Sequence, residues 1–233
     1  MIEHRFLSRE RHGLKLLKRA EGSDGLPKIG GTAAVYFDES TPDETQYQLW
    51  SDTFERLMTG CFDEAVGRDD VRALQNHDPT LLLGRTASGT LKLIVSTRGL
   101  EYEIDTADTT AGRDTVHSLE RGDMSGSSFS FVPTKVTWTE EKLEDGSWRY
   151  YRNIEAVELY DVGPVTFPAY SGTDSGLRSN RSAGITAVES RSAEAEIEAI
   201  KAERQTLLFD PRDAAQKLDA DQRSRAFRFS MLS

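Results

Sequence analysis

Apolar residues recur at every second position through most of the segment between Gly31 and Phe167, the spacing of half-buried strands. Ala33, Val35 and Phe37 alternate with Ala34, Tyr36 and Asp38 as a first strand, and Trp50 to Phe62 holds a second strand before a short helix over Asp63 to Val66. Val71 to His77 is strand-like up to the turn Asp78-Pro79, where the proline disfavours helix in the residue before it. Leu81 to Gly84 and the run Leu91, Leu93, Val95 flank a hairpin-type turn at Ser88-Gly89. Leu100, Tyr102 and Ile104 then alternate with Glu101, Glu103 and Asp105, a strand with an acidic outer face.

The period changes once. Capping-type threonines at 109 and 110 precede Ala111, Val116 and Leu119 near one face, which predicts a helix that Gly122 ends. Beyond it, Arg121 to Phe131 reads R-G-D-M-S-G-S-S-F-S-F: if Phe129 and Phe131 enter a core, Ser128 and Ser130 face away from it. Val136 and Trp138 continue the strand past Pro133. Asp145-Gly146 is a tight-turn dipeptide, so Lys135 to Lys142 should pair with Ser147 to Arg152 as a hairpin. Val157 to Tyr160 and Val165 to Phe167 are the last strands expected.

The two ends lack this patterning. Residues 1–30 are polar, basic up to Arg19 and then Gly-rich, which predicts a flexible arm with at most a helical turn around Leu14 to Leu17. The domain is expected over 31–172. A Ser/Gly/Arg stretch over 173–192 predicts a disordered linker, and 193–233, with Ile197, Ile200 and Leu207 in an Ala/Glu/Lys-rich setting, a partly helical tail.

Composition narrows the chemistry. The 233 residues carry 29 Lys and Arg against 39 Asp and Glu, a net charge of −10 that argues against nucleic acid as a partner. No apolar run of about 18 residues is present, nor a basic-plus-apolar leader, so the expectation is a soluble protein with no membrane partner. A single cysteine, Cys61, leaves no internal disulfide and no cysteine-based zinc pattern. It sits in T-G-C-F-D and reads as a small buried hydrophobe. No H-E-x-x-H exists, and no cofactor or metal is expected.

Serine chemistry on an amide needs a hydroxyl, a base, a group that fixes the base and donors for the oxyanion. Ser125, Ser127, Ser128 and Ser130 supply hydroxyls; strand alternation favours Ser128 and Ser130, which share the outer face. The candidate base is His77 in Q-N-H-D-P. His117, on the predicted helix, reads as a half-exposed structural residue. Backbone N–H groups near Gly126, or Arg85, could serve an oxyanion.

Four strings, R-A-L-Q-N-H-D-P at 72–79, G-L-E-Y-E-I-D at 99–105, Arg121 to Phe131 and V-E-L-Y-D-V-G-P-V-T-F-P-A-Y at 157–170, occur in an order and spacing that resemble the prohead (capsid maturation) proteases of tailed bacteriophages. The resemblance implies a mainly β fold with flanking helices (α+β), a closed β-barrel like that of herpesvirus assemblin. It implies His77 as base, Ser128 as nucleophile and an acid two residues after the strand's leucine, Asp161. Ser130, where the family has glycine, stays a rival nucleophile, and Glu158, which an ideal strand would turn to the opposite face from Asp161, a rival acid. The implied activity is an endopeptidase that cleaves scaffold or N-terminal capsid-protein segments, and itself, inside a procapsid in the bacterial cytoplasm, as a homodimer or higher oligomer. The alternative is a non-catalytic capsid scaffold or assembly protein that keeps the fold.

Overall fold

A computed structural model describes residues 2–7, 13–19, 24–166 and Glu198. The chain divides into units Met1–Glu189 and Ser190–Ser233, and every strand described lies in the first. The expected linker over 173–192 and tail over 193–233 fall outside the described residues, Glu198 apart.

The alternating pattern yields β1 (Glu3–Leu7), β2 (Lys15–Leu17), β3 (Lys28–Val35), β4 (Gln46–Trp50), β5 (Thr53–Leu57), β6 (Arg72–Leu74), β7 (Leu82–Arg85), β8 (Leu91–Val95), β9 (Gly99–Ile104), β10 (Gly126–Lys142) and β11 (Trp148–Val165). Among the described residues three helices interrupt them: α1 (Pro42–Thr45), α2 (Asp63–Arg68) and α3 (Thr110–Arg121). Helix α3 begins where the threonines predict, with the Thr109 side chain accepting from Gly112 N–H, and ends at Gly122, whose φ of 80° suits a residue without Cβ. The predicted hairpin is the far end of one long ribbon, since β10 and β11 stay paired from Gly126↔Val165 to Lys142↔Trp148.

The expected closed barrel is not formed. One sheet runs β1-β10-β11-β5-β4, with β6 beside β11 and β7 beside β6; the other runs β2-β3-β9-β8. Both are open among the described residues. At Ser88-Gly89 the turn forms but the strands it joins do not pair: β7 pairs with β6 and β8 with β9. The chain there crosses from one sheet to the other instead of extending a single closed one. The mainly β character with few helices holds.

The arm expectation also changes. Residues 3–7 are a strand antiparallel to β10, and the turn expected at Leu14 to Leu17 is β2, antiparallel to β3. A single core joins the sheets, with Ile29, Ala34, Leu100 and Ile104 from one and Leu57, Phe129, Phe131, Ile154 and Val162 from the other. Tyr102 OH meets Ser127 Oγ at 3.0 Å within it. Cys61 is buried in the same core, and burial pushes its thiol well above the usual range. Its side chain therefore stays a neutral apolar filler.

Candidate active site

Strand β10 presents its two faces as its alternation requires. Phe129 and Phe131 are fully buried and stacked with ring centroids 5.0 Å apart. Ser128 and Ser130 point to the other side, Ser128 across from Gly163 and Ser130 across from Asp161.

Asp161 reaches that side through an irregularity. Leu159 and Val162 both enter the core, facing Phe131 and Phe129, and an odd spacing of three cannot be met by simple alternation. The register shifts by one residue between Ser130 and Phe131, so Tyr160 is the extra residue of a β-bulge. The bulge turns Asp161 outward beside Ser130. Glu158, the rival acid, is exposed and in register with Val132, two residues further along.

His77 comes from the turn after β6. Asp78 N–H bonds to Gln75 O at 3.0 Å, and the two central residues, Asn76 and His77, have φ of 55° and 58°. Positive φ at both marks a type I′ turn, which asparagine and histidine tolerate better than most side chains. Asn76 clamps it to the end of β11: its N–H donates to Pro164 O (3.0 Å), its Oδ1 accepts from Thr166 N–H (2.8 Å), and its Nδ2 donates to Thr166 Oγ1 (3.1 Å). Thr115 on α3 donates to Gln75 Oε1 at 2.9 Å and braces the other side. Beneath the turn, β6 passes so close to Gly163 that a Cβ there would stand 2.0 Å from Leu74 O.

These devices bring the three sequence-predicted residues together. His77 Nδ1 lies 2.5 Å from Asp161 Oδ1, and His77 Nε2 lies 2.6 Å from Ser128 Oγ. Asp161 is an acceptor, so Nδ1 carries the proton and Nε2 faces the serine. Ser128 is fully buried, and its hydroxyl also lies 2.9 Å from the carbonyl oxygen of Arg5 on β1.

The sequence pattern gave no sign of His4. It pairs with Ser130 across β1 and β10, its Nδ1 is 2.7 Å from Ser130 Oγ, and its ring centroid is 4.4 Å from that of His77. Burial first, then the charges of His77 and Arg5, hold His4 down at about 4, against the pull of Asp161. It is a neutral imidazole at pH 7. The other candidates stand elsewhere: His117 is exposed on α3 with Glu120 at 3.9 Å, and Arg85 binds the Asp70 carboxylate through Nε at 2.9 and 3.0 Å.

Residues 18–186 match the caudovirus prohead serine protease family. The chain belongs to this family. It is accordingly a serine protease of the kind that acts in phage capsid maturation, as the sequence resemblance implied. Among solved structures it is similar to the bacteriophage T4 capsid assembly protease, at 12% identity over 72% of this chain and 97% of that one, with a TM-score of 0.42. No curated protein sequence matches the chain.

Proposed function

We propose that this prohead-family serine protease cleaves peptide bonds with Ser128 as nucleophile, His77 as general base and acid, and Asp161 as the group that orients His77. The continuous path from Asp161 through His77 to Ser128, 2.5 and 2.6 Å per step, is the observation that carries the reading. Ser128 Oγ attacks the scissile carbonyl carbon while its proton passes to His77 Nε2. The resulting tetrahedral oxyanion collapses, the C–N bond breaks, and His77 returns the proton to the leaving amine. Water then attacks the acyl ester, gives its proton to His77, and releases the acid as the proton returns to Ser128. Asp161 accepts the Nδ1–H throughout and stabilises the imidazolium formed in each half.

The substrates we propose are scaffold and N-terminal segments of the major capsid protein, and this chain itself, within the procapsid of an infected bacterium. A scissile carbonyl must approach Ser128 Oγ to about 3 Å. In the resting arrangement that hydroxyl also donates to the carbonyl oxygen of Arg5 at 2.9 Å, so its proton has to turn from Arg5 to His77 Nε2 before attack.

Co-expression with the capsid protein tests the reading. Trimmed subunits seen on gels, with new N-termini read by mass spectrometry, should vanish in Ser128→Ala and His77→Ala. Trimming that persists in both variants rejects the assignment. An intact capsid protein in normal shells with the parent chain would instead favour a scaffold without catalysis.

A further inference from the structure

Ser130 plays no part in the steps above, yet it lies between two imidazoles, with Oγ 2.7 Å from His4 Nδ1 and 2.9 Å from His77 Nδ1. Its single hydroxyl proton can serve only one of them. His77 Nδ1 is protonated toward Asp161 at 2.5 Å and so cannot accept. Ser130 Oγ therefore meets His77 through a lone pair, and its own proton is left for His4 Nδ1. The strand registers impose this arrangement: His4↔Ser130 across β1 and β10, and Ser130↔Asp161 across β10 and β11, form one row beneath His77.

We propose that His4 is a positioning residue of the protease site: its Nδ1 takes the Ser130 proton, which makes Ser130 Oγ a second acceptor beside Asp161 for the Nδ1–H of His77. The proposal rests on the reading of His77 as the base. The charged and titratable groups facing His4 are His77, Asp161 and Arg5; burial, His77 and Arg5 outweigh the pull of Asp161 and keep it neutral at pH 7, as an acceptor must be. A charged His4 would present an N–H where the Ser130 O–H now points. β1 precedes the residues matched to the family, so neither that match nor the sequence resemblance gives His4 a role.

The test uses the full chain with capsid protein as substrate. Ser130→Ala and His4→Phe, which keeps a ring against His77, should each lower kcat about tenfold, the loss of one hydrogen bond, with KM within about twofold. Because both variants break one relay, the double variant should fall no further than either single. His4→Asn places an amide oxygen near the former Nδ1 and should recover activity to within about threefold of the parent. Losses that multiply, an unchanged kcat in His4→Phe, or a His4→Asn no better than His4→Phe at equal thermal midpoint would each overturn the relay.

A second readout needs no turnover. The low-field proton resonance of His77 Nδ1–H should move in both His4→Phe and Ser130→Ala, and a resonance fixed in both rejects the proposal. If it moves while Ser128→Ala leaves cleavage intact, the relay stands and the catalytic assignment falls, so the two fail separately.

Discussion

Glu55→Gln removes one negative charge from a closed ionic cluster with almost no change in volume. Glu55 lies wholly buried on β5, and its carboxylate receives Arg5 Nε at 2.6 Å, Arg5 Nη2 at 2.9 Å and Arg152 Nη1 at 2.8 Å. Glu3 completes the group, accepting from Arg5 Nη2 at 2.6 Å and from Arg152 at 2.8 and 3.0 Å. Two carboxylates and two guanidiniums thus cancel inside the protein and tie β1 to β5 and β11. Burial alone would raise Glu3, but the charge of Arg5 and the bonds from Arg152 overcome it and hold the carboxyl below its usual range. Arg152 is likewise pushed up: burial works against its charge, and Glu55 and Glu3 outweigh it.

The glutamine leaves the cluster with one excess positive charge in a low-dielectric site and points a donor amide at donor guanidiniums. Breaking a buried pair in this way costs about 3–5 kcal/mol. That is a large share of the roughly 5–15 kcal/mol that holds a domain folded. Urea unfolding followed by tryptophan fluorescence should show the fall in midpoint. Adding Arg5→Met restores charge balance, so the double variant should be more stable than the sum of the singles by about 1–3 kcal/mol. A loss under about 1 kcal/mol in Glu55→Gln, or strict additivity of the pair, would refute the reasoning. β1 also carries His4, so the folded fraction of Glu55→Gln should cleave more slowly than the parent.

Three further outcomes follow from the same geometry. Gly163→Ala drives a Cβ to 2.0 Å from Leu74 O, so it should separate β6 from β11, lower the thermal midpoint and abolish cleavage; an active, stable variant would show that His77 does not depend on this close approach. Asn76→Ala loses the clamp on Thr166 and the asparagine tolerance for φ of 55°, which should cost about 2–3 kcal/mol and slow kcat more than it raises KM. His4, at about 4 in the folded chain and about 6.5 unfolded, binds its proton first in the unfolded state, so the stability lost through it grows as pH drops from 6.5 to 4 and is constant below. Its partial exposure keeps that loss to about 1–2 kcal/mol, and His4→Phe should flatten this window in pH-dependent denaturation while leaving the separate loss from Glu3, which begins below about 4.5.

Much of the fold was legible because its elements carry their own punctuation. Thr109 and Gly122 bracket α3, Asp145-Gly146 makes the ribbon turn, and Phe129 and Phe131 mark which side of β10 is core. What the pattern could not carry is which strand pairs with which. Ser88-Gly89 has the look of a hairpin turn, yet its flanking strands go to different sheets, because pairing depends on partners distant in sequence. β1 was missed for a related reason. Glu3-His4-Arg5 reads as a charged arm until Glu55 and Arg152, from remote strands, neutralise it from below.

The site divides along the same line. Ser128 and His77 follow from local text and a family resemblance, whereas Asp161 faces His77 only because Tyr160 is bulged out, a consequence of Leu159 and Val162 both needing the core. Ideal alternation set Asp161 and Glu158 on opposite faces and left the choice open; the bulge makes the choice a matter of reach along the strand. His4 enters by edge pairing, Ser130 by alternation, and His77 by two residues of positive φ, so each atom of the candidate site is placed by backbone register and not by side-chain reach. Rigid elements that share hydrogen bonds hold their side chains to tenths of an ångström, the tolerance that proton transfer demands. The site is therefore more vulnerable to a slip between β10, β11 and β1 than to a change of volume in the core beneath them.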